Sequence, residues 1–178
     1  IYITNLKNVE IVGGNSLILF ENLCLNDMIF FDEENRFDLR FNSVKYIDKE
    51  SAIVTYIKSN NVIEKGIFLI GFASYNYYHL TVEIIARLNF IEAHTKDKKI
   101  PLLVDKVVLE TPQYRELLEK FNVYKRDILL IENNYKYMVK ELIYCSDVAW
   151  MPINVKKDVK LEPQDSMICK KNIQNIKI

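Results

Sequence analysis

Apolar and polar residues over the first 70 positions follow the pattern of short strands separated by turns. The apolar runs that predict strands are residues 9–12, 17–20, 28–31, 52–57 and 67–70. The sequence Gly13-Gly14-Asn15-Ser16 separates the first two runs and predicts a β-hairpin turn. Residues 59–61, Ser-Asn-Asn, predict another turn before the last run. Residues 1–70 are therefore expected to form a β-rich segment.

After residue 70 the pattern alternates between helical and strand periods. A helix is predicted over residues 77–95, strands over 102–104, 107–109, 128–131 and 140–145, and a last helix over 163–173. Thr111 followed by Pro112 predicts the start of another helix, which continues to about Phe121. Helices that alternate with apolar strands are typical of a parallel sheet covered by helices. We therefore expect an α/β fold, with a Rossmann-like parallel-sheet domain over residues 71–178 preceded by the β-rich segment 1–70 as part of one folded unit.

The predicted helix 77–95 carries a stripe of polar residues along one face. The stripe has offsets of 0, 3, 7 and 11 and consists of Asn76, His79, Glu83 and Arg87. It begins where an apolar strand ends, which is the edge at which open α/β sheets bind ligands. A carboxylate four residues after a histidine can orient the imidazole and make it more basic. The spacing of His79 and Glu83 therefore suits proton abstraction.

Each residue of this region also has an ordinary structural interpretation. Glu83 and Arg87 could form an exposed ion pair worth only about 0.3–0.5 kcal/mol. Asn76 could simply cap the helix. Of the two neighbouring tyrosines, Tyr77 is expected to point to the core, while Tyr78 lies nearer the strand end, where it could line a sugar site.

Asp105 stands at the end of another apolar strand. This is a common position for a functional carboxylate, but Asp105 and Lys106 could equally form an ordinary turn.

The start of the same helix resembles a known family. Residues Asn76-Tyr77-Tyr78-His79, followed by Glu83 and by Arg87-Leu88, are similar to the N-Y-Y-H-W-[LF]-x-[DE]-x-x-P-R-L block of glycosyltransferase family 61. Weaker similarity continues through residues 101–105, 113–118 and 140–145. The chain departs from the block at Leu80, where the family usually has tryptophan, and at Ala86, where it usually has proline.

The resemblance implies inverting transfer of a sugar from a nucleotide-sugar to a glycan hydroxyl in capsular or surface polysaccharide biosynthesis. It implies His79 as the catalytic base, oriented by Glu83, or Glu83 as the base itself. Asn76, Tyr78 and Arg87 would bind substrate, with Arg87 holding either an acceptor group or Glu83. We expect no metal and no cofactor besides the nucleotide-sugar donor.

The family is similar to two-domain, GT-B-like transferases. The chain is accordingly expected to be the N-terminal, acceptor-side half of such an enzyme, without the C-terminal donor-binding domain and inactive as this fragment. The competing hypothesis is a non-catalytic α/β glycan-binding or interaction domain derived from a transferase.

Composition narrows the class of protein. The 24 basic and 24 acidic side chains balance, which argues against a dedicated nucleic-acid binder. The three cysteines lie far apart and form no C-x-x-C motif, so neither a zinc site nor a disulfide framework is expected. No apolar run reaches the length of about 18 residues that a membrane span needs. We expect a cytoplasmic protein, for which the resemblance allows peripheral association with the inner face of the membrane.

Overall fold

Strands from both ends of the chain join in one sheet. The structure, a computed structural model, describes residues 1–25, 43–47, 50–71, 73–150 and 167–170, with only the main chain at positions 47 and 150. Its main sheet contains β1 (Ile3–Val12), β2 (Ile18–Phe20), β3 (Leu23–Leu25), β6 (Ile57–Leu69), β7 (Leu102–Asp105), β8 (Ile128–Ile131) and β9 (Tyr135–Cys145). Two small sheets pair β4 (Val44–Ile47) with β5 (Ala52–Val54) and β10 (Ala149–Trp150) with β11 (Met167–Ile168).

The strand order of the main sheet is β3-β2-β1-β9-β6-β7-β8. Strands β9, β6, β7 and β8 are parallel, and in chain order these four read 3-2-1-4 from the β8 edge. The antiparallel strand β1 pairs along β9 from Ile3 opposite Cys145 to Val12 opposite Lys136. The predicted α/β class is therefore confirmed. The sheet is mixed rather than purely parallel because β1, β2 and β3 join it through antiparallel pairing.

A long helical segment connects β6 to β7. It consists of α1 (Tyr77–His79), a π-helical turn (Leu80–Ile84), a 3₁₀ turn (Ile85–Arg87) and α2 (Leu88–His94). We call residues 77–94 the site helix. Two further helices, α3 (Lys106–Glu110) and α4 (Pro112–Phe121), connect β7 to β8. The apolar side of the site helix packs on the sheet as predicted, with Leu80, Ile84, Ile85, Leu88 and Ile91 all buried. Burial of each such side chain contributes about 1.5–3 kcal/mol to the free energy of unfolding.

Several sequence predictions need correction. Residues 59–61 do not form a turn, because β6 runs through them. The pairing of β6 with β9 shifts between Lys58 and Val62, and this bulge accommodates the polar residues. The predicted strand 107–109 lies in α3, since β7 ends at Asp105, the last residue that pairs with β8.

Other predictions concern the ends of elements. The hairpin at residues 13–16 is confirmed, with Ile11 opposite Ile18. Thr111 precedes α4 as expected, but its side chain makes no capping hydrogen bond. Met167–Ile168 is a strand, not part of a helix, because it pairs with Ala149–Trp150. The rest of the predicted helix 163–173, apart from residues 169 and 170, lies outside the described residues, as does the predicted strand 28–31.

The main sheet curls strongly, so that residues on distant strands meet. The main-chain N–H of Gly14, after β1, donates to the carboxylate of Asp105 on β7, although β9 and β6 stand between these strands. Gly13 bridges Asn133, just after β8. The curl encloses a second apolar cluster on the sheet face away from the helices, which includes Phe68, Ile70, Leu103, Leu142 and Tyr144. The central strands are thus buried on both faces, which explains their continuous apolar sequence.

Closure of the curl depends on glycine at position 13. A Cβ atom there would lie 2.2 Å from the carbonyl oxygen of Glu132 and 2.8 Å from its carbonyl carbon. Main-chain atoms cannot move aside without disturbing the strands that they join. We expect Gly13→Ala to lower the free energy of unfolding by about 1–3 kcal/mol in urea titrations. Asn133→Ala, at the exposed partner of the bridge, should change it by less than about 0.5 kcal/mol; equal effects would contradict this explanation.

Candidate functional site

The corner between β6 and the site helix is compact because no side chain separates the two. A Cβ atom on Gly71 would lie 2.3 Å from Cδ1 of Ile84, so the helix packs directly on the strand end. Two turns follow, in which Ser74 N–H donates to the Gly71 carbonyl and Asn76 N–H to the Ala73 carbonyl. The Asn76 side chain then accepts a hydrogen bond from the N–H of Tyr78 at 2.9 Å. Asn76 is therefore the N-cap of the helix, which is the ordinary structural role considered for it from the sequence.

His79 and Glu83 meet one turn into the helix. Nδ1 of His79 lies 2.8 Å from Oε2 of Glu83, and the two side chains are 28% and 16% exposed. A carboxylate at this distance holds the ring proton on Nδ1 and leaves Nε2 as the nitrogen that can take up a proton. Glu83 belongs to the π-helical turn, in which the N–H of Ile85 donates five residues back to the Leu80 carbonyl. Such turns are frequent at functional sites.

The tyrosines at the start of the helix lie at the surface. The prediction that Tyr77 points to the core is wrong, because residues 77–79 precede the part of the helix that packs on the sheet and none of them is buried. Tyr77 is half exposed, with its ring centroid 6.1 Å from that of Tyr114. The Tyr114 hydroxyl in turn donates to the Tyr75 carbonyl. Tyr78 is also half exposed and stands edge-on to the His79 imidazole, with centroids 5.4 Å apart.

Arg87, the last residue of the predicted stripe, is buried. Only 3% of the residue is exposed, its Nη2 pairs with the Asp147 carboxylate, and its Nε donates to the main-chain carbonyl of Glu83. The stripe is covered here because the chain after β9, including Asp147 and Val148, packs over this part of the helix. Arg87 therefore contacts the site through the hydrogen bond from its Nε to the main-chain carbonyl of Glu83.

Asp105, the last residue of β7, forms hydrogen bonds with the loop at this corner. It is fully buried, and its carboxylate accepts the N–H of Gly14 at 2.9 Å and the N–H of Gly71 at 3.0 Å. Burial raises the pKa of Asp105 to about 6, against the lowering effect of hydrogen bonds from Gly71, Gly14 and Ser74. The only signal for Asp105 in the sequence is an aspartate at the end of an apolar strand, and that signal does not reveal its partners.

Among the described residues, neither a metal site nor a membrane-spanning helix is found, and a groove lies away from this corner. In this part of the chain, no three His, Cys, Asp or Glu side chains gather closely enough to hold a metal ion. A groove of about 1010 Å³ lies elsewhere, between the middle of β6, the loop before β7 and β8, and none of the predicted site residues lines it. No helix of residues 1–25, 43–47, 50–71, 73–150 or 167–170 combines the length and apolar character needed to cross a membrane.

Comparison with known proteins gives no further assignment. No family model, no curated protein and no solved structure matches the chain. The resemblance to glycosyltransferase family 61 therefore stays a prediction from the motif residues.

Proposed function

We propose that the chain is the acceptor-side half of an inverting glycosyltransferase that moves a sugar from a nucleotide-sugar to a glycan hydroxyl in capsular or surface polysaccharide synthesis. The observation that carries the proposal is the 2.8 Å contact between His79 Nδ1 and Glu83 Oε2 at the carboxyl end of β6. An imidazole held in this way is suited to remove a proton from an acceptor hydroxyl. A donor-binding domain would complete the enzyme, on the cytoplasmic side of the membrane.

In the proposed reaction the acceptor hydroxyl donates a hydrogen bond to Nε2 of His79. Its oxygen attacks the anomeric carbon as the bond from that carbon to the nucleotide diphosphate breaks, and the proton passes to Nε2. The Glu83 carboxylate stabilises the imidazolium that forms. The proton then leaves to water. The alternative, with Glu83 as the base, uses the same contact with the roles exchanged.

The position of the contact supports the proposal. A parallel order of 3-2-1-4 changes direction between β6 and β9, and open α/β sheets bind ligands outside the carboxyl ends of strands at such a point. The site helix follows β6 directly. The ion pair between Arg87 and Asp147 joins this helix to the chain that leaves β9.

A glycan-binding domain without catalysis is the second candidate, and the exposed tyrosines favour it. Tyr75 is 67% exposed, Tyr77 and Tyr78 are about half exposed, and Tyr78 stands beside His79. Tyrosine combines an apolar ring face with a polar hydroxyl. Its ring can therefore cover the C–H face of a sugar while its hydroxyl forms a hydrogen bond with a sugar hydroxyl. In this alternative Tyr78→Ala would weaken glycan binding and His79→Ala would leave it unchanged.

The test is a transfer assay with a protein that joins this chain to its donor-binding half. Labelled nucleotide-sugars are offered with oligosaccharide acceptors, and transfer is measured as incorporated label. Glu83→Gln keeps the shape of the side chain but removes its charge, so we expect kcat to fall about tenfold or more without change in the KM for the donor. Glu116→Gln, on the exposed surface of α4, is the matched control. Acceptor binding without transfer would favour the binding domain, and neither binding nor transfer would contradict both.

A further inference from the structure

We propose that Asp105 is a pH-sensitive joint that positions the start of the site helix, by holding the turn after β1 and the loop after β6 through one buried carboxylate. The joint consists of Asp105, Gly14, Gly71 and Ser74. This proposal does not depend on the reaction that the His79–Glu83 pair serves, because the joint consists of other residues.

The geometry makes Asp105 a link between two parts of the chain that are distant in sequence. Gly14 and Gly71 lie 57 positions apart, yet their N–H groups donate to different oxygens of the same carboxylate, at 2.9 and 3.0 Å. Both loops are buried where they meet Asp105. Gly71 also contacts Ile84, the neighbour of Glu83. A shift of Gly71 away from Asp105 would therefore move the helix turn that carries Glu83.

Three neutral donors from two loops face the Asp105 carboxylate. The turn after β1 supplies the Gly14 N–H, and the loop after β6 supplies the Gly71 N–H and the Ser74 hydroxyl. On its own side Asp105 is followed by Lys106. Lys106 Nζ lies 3.4 Å from the carboxylate of Glu132, the residue after β8, and 3.7 Å from that of Glu110 on α3. Among the described residues, the charges nearest in sequence are thus paired with one another.

Three neutral donors do not replace the water that an ionised carboxylate loses on burial. The pKa of Asp105 accordingly rises from 3.8 to about 6. Between pH 3.8 and pH 6 the buried carboxyl of Asp105 keeps a proton that a hydrated carboxyl would release. A fall in pH therefore favours the closed joint, in which Asp105 is buried. Above pH 6 the buried carboxylate is ionised, and the equilibrium shifts toward open forms in which water reaches it. The opening equilibrium should therefore change by about 60-fold between pH 7 and pH 4.

Glycine amides give a direct readout, because the chain has only four glycines. In the full chain labelled with ¹⁵N-glycine, the amide signals of Gly14 and Gly71 should titrate together with a midpoint near pH 6. Gly66, inside β6, should not follow them. Ser74→Ala removes one donor to the carboxylate and should move the common midpoint upward. Signals of Gly14 and Gly71 that stay constant from pH 4.5 to 7.5 would overturn the proposal.

Two variants separate Asp105 from other titrating groups. Asp105→Asn should abolish the common titration, and a titration that survives it would overturn the proposal. Should this variant fail to fold, the Ser74→Ala shift in folded protein decides instead. Histidines titrate in the same pH range, so the measurement is repeated with His79→Ala, where the midpoint should be unchanged. Loss of the titration in that variant would assign it to the imidazole and refute the joint, independently of any transfer activity.

Discussion

Replacement of Arg126 by alanine should lower the free energy of unfolding by about 3–5 kcal/mol, the largest loss that we expect from one side chain. The guanidinium of Arg126 is completely buried and forms a two-pronged pair with Glu92 of α2, with Nε to Oε1 at 2.9 Å and Nη2 to Oε2 at 3.0 Å. The same group donates to the carbonyls of Thr95, Asp97 and Ile100. It thereby fixes the entire loop between the site helix and β7.

The size of this loss follows from what the alanine would leave behind. Glu92 would keep a nearly buried carboxylate with its main partner gone, and three carbonyls would lose a charged donor. Asn122 exchanges two hydrogen bonds with the main chain of Arg126 and would hold the backbone in place, so the cavity could not easily collapse.

Urea unfolding of matched variants measures the effect. Lys120→Ala removes an exposed pair with Glu116 on α4 and should cost less than about 1 kcal/mol. Total stabilities of about 5–15 kcal/mol leave little margin, so Arg126→Lys is included as a milder variant with an intermediate loss. A double variant, Arg126→Met with Glu92→Leu, replaces the ion pair by apolar groups and should recover part of the stability, because no unpaired carboxylate is left while the three carbonyls still lack their donor. An alanine variant as stable as Lys120→Ala would contradict the role given to Arg126.

The sequence predicted what depends on local pattern. The apolar face of the site helix, the hairpin at residues 13–16, the strands β7 and β8 and the second half of β9 follow from the period of apolar residues alone. The bulge of β6 at residues 59–61 does not, because it is set by the register against β9. Nor does the curl, which requires close contact between Gly13, after β1, and Glu132, after β8.

The same distinction applies to the candidate site. His79 and Glu83 are four residues apart on one helix, so their contact could be predicted from spacing. Arg87 continues the same spacing, but its surroundings are decided by Asp147, sixty residues away. Asp105 and Arg126 were missed as anchors for this reason too. Asp105 takes its N–H donors from two loops distant in sequence, and Arg126 binds Glu92 of α2 and the loop that follows this helix.

His79→Ala is the second large effect that we expect. In the proposed enzyme, with its donor-binding half present, loss of a general base should lower kcat for sugar transfer by about 10²–10⁴-fold. Folding should change little, because the imidazole lies at the surface edge of the helix and not in either apolar cluster. His94 offers a matched control, since it is the other histidine of the chain and lies exposed at the end of the same helix. His94→Ala should leave transfer at the wild-type rate.

The pair of variants at positions 79 and 83 decides which residue is the base. If His79 takes the proton and Glu83 orients it, His79→Ala should be the more damaging of the two, and added imidazole should restore part of its activity. If Glu83 takes the proton, Glu83→Ala should be the more damaging and imidazole should not help. Transfer at a near-wild-type rate by His79→Ala would remove the imidazole from the mechanism. The tyrosines beside it would then point to glycan binding as the role of this corner, because they can cover a sugar without any proton transfer.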